Sequence, residues 1–292
     1  RVGDLHGTID GPGAKNSVLK LMAATILADG EYELTNVPDI ADVRIMGELL
    51  DAIGIRSWSP APGVLRLSNT GDLPPVAPYE LVERIRASIN VLGPLLTRCG
   101  RVRLSMPGGD DFGARPIDMH VAGLEAMGAT FKFSHGELEA TADRLHGAHV
   151  TFGFPSVGAT ENVLTAAVLA DGETTIENAA REPEVVDLCH MLVKMGADIS
   201  GIGTSTLVIR GVERGSLRPA NHRTVPDRIQ AATYIAAVAV AGGELTIRDA
   251  RAEHMQNLLA RFSHMGLELN PSERELHVAA NGRLRSIDVQ TL

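Results

Sequence analysis

The chain has 292 residues, of which 44% are apolar, and its formal net charge is −9. This length and apolar content allow two domains with separate cores, whereas the charge argues against a general nucleic-acid-binding or membrane-surface protein, because those partners attract basic faces. No apolar run is long enough for membrane insertion, and two cysteines give no disulfide framework, so we expect a soluble cytoplasmic protein.

Four similar segments follow one another along the chain. They are LADGEYELTN from Leu27, LTRCGRVRLS from Leu96, LADGETTIEN from Leu169 and VAGGELTIRD from Val240. Their starting positions are 69, 73 and 71 residues apart. This spacing predicts four consecutive copies of one structural unit.

Each copy is predicted to contain, in chain order, a glycine-rich loop, an apolar helix, a short strand, an amphipathic helix and two further strands. The amphipathic helices end at glycines 54, 128, 196 and 266, which are typical C-cap positions. The apolar helices, such as those in 162–170 and 229–240, are apolar on nearly every face. Protein should therefore surround them, and we predict an α/β fold with helices inside and sheets outside.

Four loops that contain glycine or begin with proline each end at the start of a predicted helix. They are GPGAKNS at 11–17, PGGDDFGARP at 107–116, SVGATEN at 156–162 and VPDR at 225–228. Helix N-termini expose unpaired N–H groups and a partial positive charge, so each loop is a candidate site for a phosphate or carboxylate.

Three cations lie at these helix starts. Lys15 lies in the first loop, with Asn16 or Ser17 as the expected N-cap; Arg115 precedes Pro116, and Arg86 begins the first helix of the second copy. Any one of them taken alone is better explained as a surface cation beside a turn. Their recurrence at the same position of a repeated unit favours anion binding.

Several motifs, taken in order, cover essentially the whole chain: GAKNS, RAS followed by LGPL, PGGDDFGARPIDMH, SVGATEN, ENAAREPEVVDL and PDRI. Together they resemble the enolpyruvyl transferase family, and within it the UDP-N-acetylglucosamine 1-carboxyvinyltransferase branch. The shikimate-phosphate branch has an Asp-Lys-Ser type signature where this chain has Gly13-Ala14-Lys15-Asn16. This difference favours the amino-sugar branch.

The resemblance implies inside-out α/β barrel domains, each of three repeats, with four of the family's six repeats present here. We predict that residues 11–223 form a complete three-repeat domain carrying a mobile loop, and that 1–10 with 224–292 form part of a second domain. On this interpretation the chain is a C-terminally truncated fragment that does not turn over alone.

The resemblance also implies a reaction. The enolpyruvyl group of phosphoenolpyruvate would move to the 3'-hydroxyl of UDP-N-acetylglucosamine with release of phosphate, the first committed step of peptidoglycan synthesis. Addition followed by elimination needs a general acid, a base and cations. No cofactor is expected, and the ten histidines show no metal-ligand spacing. The oligomeric state stays open.

Matching the family's motifs assigns phosphoenolpyruvate contacts to Lys15 and Asn16, with Arg115 as a further catalytic cation. Nucleotide-sugar contacts fall on a larger set: Arg86, Arg115, Pro116, Ile117, Asp118, Met119, His120, Ser156, Val157 and Gly158. Weaker candidates are Asp227, Arg228 and Glu182. For Glu182 the alternative is helix capping, since early acids favour the positive end of a helix.

Asp110 stands five residues before Arg115, where most bacterial members have a cysteine. That cysteine is the proposed proton donor and is alkylated by fosfomycin. An aspartate can replace it as acid only if its pKa rises from about 3.9, and a carboxylate is a weaker nucleophile than a thiolate. We therefore predict Asp110 as proton donor and resistance to fosfomycin. Asp111 has no assigned role.

Two alternatives remain. Phe154 stands where many members have a lysine, two residues before the Ser-Val-Gly turn, so a relative acting on another sugar is one. A truncated paralogue that binds nucleotide sugar without chemistry is the other.

Overall fold

The computed structural model describes residues 3–109, 113 and 116–289. The chain divides into two compact units: unit 1 comprises Arg1–Ala14 and Val225–Leu292, and unit 2 comprises Lys15–Thr224. The predicted domain boundaries lie near these breaks. Their interpretation as one complete three-repeat domain and part of another stays a prediction.

Helices and strands are interspersed along the described residues. The helices are α1 (Lys15–Ala24), α2 (Ala41–Ala52), α3 (Tyr79–Val82), α4 (Leu92–Cys99), α5 (Asp118–Ala126), α6 (Val157–Ala167), α7 (Pro183–Met195), α8 (Arg228–Ala241) and α9 (Gln256–Met265). Short 3-10 helices cover Thr25–Leu27, Arg86–Val91 and Ala252–His254. No helix in this part of the chain is long and apolar enough to cross a membrane.

The strands are β1 (Leu5–Asp10), β2 (Gly30–Thr35), β3 (Ile55–Ala61), β4 (Val64–Asn69), β5 (Arg101–Ser105), β6 (Thr130–Ser134), β7 (Glu137–Thr141), β8 (His149–Thr151), β9 (Glu173–Glu177), β10 (Asp198–Ser200), β11 (Thr206–Arg210), β12 (His222–Arg223), β13 (Gly243–Arg248), β14 (Glu268–Pro271) and β15 (Glu275–Ala280).

The described residues of unit 2 form three sheets, with strand orders β12-β2-β4-β3, β5-β7-β6 and β10-β11-β9-β8. Buried and exposed residues alternate along strands such as β7, so each sheet has an inner apolar face and an outer wet face. Between the sheets, α6 is buried along its whole length from Ala159 to Ala167. Its side chains join those of α1 and α7 in one continuous core. The predicted arrangement, helices inside and sheets outside, is confirmed for this unit.

The four glycines predicted to end the amphipathic helices do so. Gly54, Gly128, Gly196 and Gly266 have φ values of 91°, 95°, 108° and 108°. Residues with a Cβ rarely adopt this left-handed conformation, so glycine is the residue that lets the chain leave each helix sharply.

Unit 1 is built on one four-stranded sheet among its described residues, with strand order β1-β13-β15-β14. Asp227 caps α8, accepting hydrogen bonds at Oδ1 from the N–H groups of Ile229 (2.8 Å) and Gln230 (3.0 Å). The expectation that α8 is enclosed is wrong here, because Ile229 is 51% exposed and Val240 is 90% exposed. The unit's small core packs against one stripe of this apolar helix.

Candidate active site

Lys15 begins α1 and lies beside the first turn of α2. Its Nζ is 3.0 Å from Oδ1 of Asp42, and both side chains are partly exposed. Because α1 begins at Lys15, the predicted cap residues Asn16 and Ser17 lie inside its first turn, and that detail of the prediction is wrong. Asn16 is exposed next to Lys15. The two predicted phosphoenolpyruvate contacts are therefore both accessible on one helix end.

Arg86 contacts the two ends of the loop at 107–116. From the start of its 3-10 helix, Nη1 donates to the carbonyl of Pro107 at 3.3 Å and Nη2 donates to the carbonyl of Pro116 at 3.5 Å. The guanidinium thus lies at the base of the loop, where the chain leaves β5 and approaches α5. Asp110, Asp111 and Arg115 lie outside the described residues, so their predicted roles have no structural account.

The first arm of this loop needs glycine because it packs tightly on the segment before Arg86. A Cβ added to Gly108 would be 1.7 Å from the carbonyl oxygen of Glu83. Gly109 has φ of 104°, and a Cβ there would be 3.0 Å from the backbone nitrogen of Arg86. The Pro-Gly-Gly sequence is therefore required by close backbone approach as well as by turn formation.

His120 on α5 is linked through Asn162 on α6 to Gly93 on α4. Its Nδ1 is 3.0 Å from Nδ2 of Asn162 on α6, and Oδ1 of Asn162 accepts from the N–H of Gly93 at 2.8 Å. Since an amide nitrogen only donates, Nδ1 is the acceptor and the ring proton lies on Nε2. Gly158 allows this approach, because a Cβ on it would be 3.0 Å from Cε1 of His120.

The ring of His120 is neutral near pH 7. Burial lowers its pKa to about 4; the positive charge of Arg86 adds to this effect, and Asp118 opposes it. A neutral imidazole with its proton on Nε2 is a hydrogen-bond donor at that atom. It is held between the start of α5 and the start of α6.

The remaining predicted nucleotide contacts fall at these same helix starts. Ser156 caps α6, accepting from the N–H of Ala159 at 3.4 Å, and Val157 and Gly158 form its first turn. Pro116 and Asp118 are exposed and Met119 is half-buried, whereas Ile117 is buried in the core. Phe154, just before the cap, is 60% exposed. The first turn of α6 offers unpaired N–H groups to an anion.

The weaker candidates divide between the units. Glu182 precedes α7 in unit 2 and makes no capping hydrogen bond with its side chain. Asp227 and Arg228 belong to unit 1, where Asp227 is the α8 cap. In the described part of the chain, no cluster of three His, Cys, Asp or Glu residues is arranged to hold a metal ion.

The whole chain, residues 1–292, matches the family model of EPSP synthase (3-phosphoshikimate 1-carboxyvinyltransferase). The chain belongs to this family.

Two of its relatives in the EPSP synthase family carry the name UDP-N-acetylglucosamine 1-carboxyvinyltransferase. The protein from Corynebacterium jeikeium is 47% identical over 288 residues, covering 99% of this chain and 68% of the relative. The protein from Nocardia farcinica is 46% identical over 293 residues, again covering 99% and 68%.

Solved structures of the family share the fold. The enolpyruvyl transferase NikO from Streptomyces tendae superimposes with a TM-score of 0.87 at 25% identity, over 97% of this chain and 68% of that chain. EPSP synthase from Acinetobacter baumannii superimposes with a TM-score of 0.76 at 18% identity, over 99% and 68%. The predicted enolpyruvyl transferase fold is confirmed.

Two buried polar networks near α1 were not predicted from the sequence. In one, Ser17 Oγ donates to Asp187 Oδ2 at 2.5 Å, and Asp187 Oδ1 is 2.8 Å from Nε2 of His222. In the other, Lys20 Nζ is 3.5 Å from Oε2 of Glu161. The signal available in the sequence was a charged residue inside an otherwise apolar helix, at Lys20 in KLMAATIL and at Glu161 in GATENVLTAAVLA.

Proposed function

We propose that this chain carries the enolpyruvyl transfer site of a UDP-N-acetylglucosamine 1-carboxyvinyltransferase. The observation that carries the proposal is the 46–47% identity, along 99% of the chain, to relatives with that name. The accessible Lys15 and Asn16, and the convergence of Arg86, α5 and α6 around His120, support it. The substrates would be phosphoenolpyruvate and the nucleotide sugar, and the location the cytoplasm.

The proposed chemistry is addition followed by elimination. A proton adds to the vinyl CH₂ carbon of phosphoenolpyruvate, and the 3'-hydroxyl oxygen bonds to the neighbouring carbon while losing its own proton. The tetrahedral intermediate then loses a proton from the new methyl group and expels phosphate, which restores the double bond. Each step needs a positioned acid or base.

Cations stabilise the anionic substrate throughout this sequence. Lys15 is a flexible point charge at the start of α1, suited to following the phosphate as its charge changes. Arg115 would add a planar guanidinium that matches a carboxylate or phosphate. Asp110 would donate the proton to the vinyl carbon. Its support is its position in the sequence, five residues before Arg115.

For the nucleotide sugar, we propose the surface formed by the starts of α5 and α6. The N–H groups of Val157 and Gly158 would face the diphosphate, since helix N-termini favour anions. Residues 115–119 would follow the uridine, and Arg86 would hold the loop that connects the two substrates. Neutral His120 fixes the spacing of the two helix starts through Asn162.

One observation favours a second candidate, a transferase for a different nucleotide acceptor. Phe154 is 60% exposed immediately before the α6 cap, where many family members have a lysine. A phenyl ring there removes one cationic contact to a nucleotide phosphate. The family membership is the same under this candidate, and only the acceptor differs.

Phosphate release from the full-length protein separates the two candidates. The protein would be supplied with phosphoenolpyruvate and, in parallel, UDP-N-acetylglucosamine, other UDP-sugars and free nucleotides. Turnover with UDP-N-acetylglucosamine at the highest kcat/KM is the expected result. A higher kcat/KM with another acceptor would replace the first candidate by the second, and Phe154→Lys would then be the variant expected to restore the amino-sugar preference.

A further inference from the structure

Glu161 and Lys20 connect the interior of α6 to the first turn of α1. Glu161 is 1% exposed, and within the described residues neither of its carboxylate oxygens accepts a well-formed hydrogen bond. Lys20 Nζ lies 3.5 Å from Oε2 of Glu161 and donates to the carbonyl of Asn16 at 2.6 Å. One partly exposed ammonium therefore contacts both a buried carboxylate and the backbone of a predicted substrate-binding residue.

This carboxylate is expensive to bury. Burial raises the pKa of Glu161 to about 7; Lys20 on α1 opposes the rise, and Glu184 and Glu182 at the start of α7 add to it. The thiol of Cys189, also on α7, faces the same region and feels the charge of Glu161. An apolar side chain would fill this place in α6 without the desolvation penalty.

Charged residues are normally exposed to water, and a buried one that adds no stability is a candidate for a functional role. The role that we infer for Glu161 is to hold the Lys20 side chain inward. The Lys20 side chain is only 11% exposed, and an ammonium stays in such a place only when a counter-charge is close. Once Lys20 is held inward, its Nζ reaches the Asn16 carbonyl and ties the first turn of α1 to α6.

We propose that Glu161 and Lys20 form a positioning pair that fixes Lys15 and Asn16 for phosphoenolpyruvate. The inference rests on the proposed function, which places those two residues against that substrate. Without the carboxylate, Lys20 extends its ammonium to water, as long cationic side chains do. The Asn16 carbonyl then loses its side-chain donor, and the end of α1 loosens.

The helix itself does not depend on this pair. Ser17, in the same turn, is anchored separately by its 2.5 Å hydrogen bond to Asp187. Glu161→Gln leaves that bond in place and keeps the volume of the side chain. The variant is therefore expected to fold, with a local change on the Asn16 side of the turn.

Amide hydrogen exchange tests the local change without any substrate. In an α-helix, the N–H groups of Leu19 and Lys20 bond to the carbonyls of Lys15 and Asn16. We expect Glu161→Gln to exchange these amides about tenfold faster than wild type. Thr165→Val is the matched control, because Thr165 is also buried on α6 but, among the described residues, its hydroxyl bonds only to its own helix, at Glu161 O and Asn162 O. Unchanged exchange in Glu161→Gln would overturn the inference.

Steady-state kinetics of the full-length protein test the functional consequence. Positioning predicts that Glu161→Gln raises KM for phosphoenolpyruvate by about tenfold, with kcat changed less and with no loss of thermal stability at pH 8. A purely electrostatic effect would instead lower KM for phosphoenolpyruvate, because the substitution removes a negative charge near an anion site. A lower KM would therefore overturn the inference. A merely structural role would lower stability and activity together, which would also overturn it.

Lys20→Met is a second variant that should loosen the first turn of α1. It removes the donor to Asn16, and it is expected to accelerate exchange at Leu19 and to raise KM in the same way. If wild-type protein shows no turnover of phosphoenolpyruvate, the proposed function fails, and the exchange experiment alone then decides whether the pair fixes the end of α1.

Discussion

The Nζ of Lys15 lies 3.0 Å from Oδ1 of Asp42, so the first turn of α1 and the first turn of α2 meet at an ion pair. Lys15 is 47% exposed and Asp42 is 29% exposed in their side chains. Water screens a pair of this kind, and its contribution to stability is at most about 1 kcal/mol. The lysine is therefore accessible to an incoming anion without a large loss of folding free energy.

Lys15→Ala is expected to lower kcat/KM for phosphoenolpyruvate on the order of 100-fold, because a cation aimed at the transferring group is removed. The free energy of unfolding should change by less than about 1 kcal/mol. Phosphate-release kinetics and urea unfolding measure the two quantities. Asp42→Asn is the control, and we expect it to change kcat/KM by less than about fivefold. An equal loss in both variants would show that the pair, rather than the lysine, carries the effect.

Gly108→Ala is expected to displace the first arm of the loop. The added methyl group would be 1.7 Å from the Glu83 carbonyl oxygen, so the segment that Arg86 contacts must shift. Overpacking of this type costs about 1–3 kcal/mol, and misplacement of the loop should lower kcat/KM by at least about tenfold. Urea unfolding and phosphate-release kinetics report the two changes.

Gly153→Ala is the matched control for that substitution. Within the described part of the chain, no heavy atom beyond Gly153 and its two chain neighbours lies within 4 Å of a Cβ added there, and the change should stay within about 0.5 kcal/mol. Similar effects for both substitutions would contradict the close-packing explanation of Gly108.

The stability of unit 2 should depend on the protonation of Glu161. Its pKa is raised from 4.5 to about 7 in the folded protein, so folding favours its protonated form relative to the unfolded chain, and the carboxylate that pairs with Lys20 predominates above about pH 7. This contribution is fully present below pH 4.5 and is lost as pH rises through about 7. Between pH 5 and pH 8 the loss should reach about 2 kcal/mol.

Glu161→Gln lacks a titrating group at this position, so the difference in unfolding free energy between wild type and variant should grow by that amount as pH rises. The contribution of His120 to stability has the opposite pH dependence. Its pKa is lowered from 6.5 to about 4, so its contribution is present above pH 6.5 and is lost toward pH 4. Comparing the two proteins at each pH removes the His120 effect. A pH-independent difference would show that Glu161 titrates at an ordinary pKa.

Fosfomycin should not inactivate the full-length protein in a time-dependent manner. The proposed proton donor is Asp110, and a carboxylate attacks an epoxide far less readily than a thiolate. Burial raises the pKa of both cysteines, that of Cys189 to about 12, so neither is an activated thiolate. Phosphate release after preincubation with the drug measures inactivation. Asp110→Cys is expected to become sensitive, and equal inactivation of the two forms would contradict the role of Asp110.

Local patterns predicted much of the fold. The glycines at 54, 128, 196 and 266 each end a helix, because a positive φ is a requirement of the residue itself. Likewise, the apolar character of α6 on all faces predicted its burial. Each of these properties is encoded within a few neighbouring residues.

Pairings between distant residues were not predictable in this way. Ser17 and Asp187 are 170 residues apart in the chain, and Lys20 and Glu161 also belong to different predicted repeats, so no spacing rule connects them. The exposure of α8 has a similar origin. Its sequence specifies apolar faces, but how many of them are covered depends on how many sheets and helices pack around it.

The identity of the product tests the central proposal most directly. Full-length protein, phosphoenolpyruvate and UDP-N-acetylglucosamine would be incubated together, with the nucleotide sugar examined by mass spectrometry and carbon NMR and the phosphate measured in parallel. We expect one phosphate released for each sugar that gains an enolpyruvyl ether at its 3'-oxygen, and product formation slower on the order of 100-fold with Lys15→Ala. Unmodified UDP-N-acetylglucosamine, under conditions in which another acceptor is converted, would contradict the proposed function.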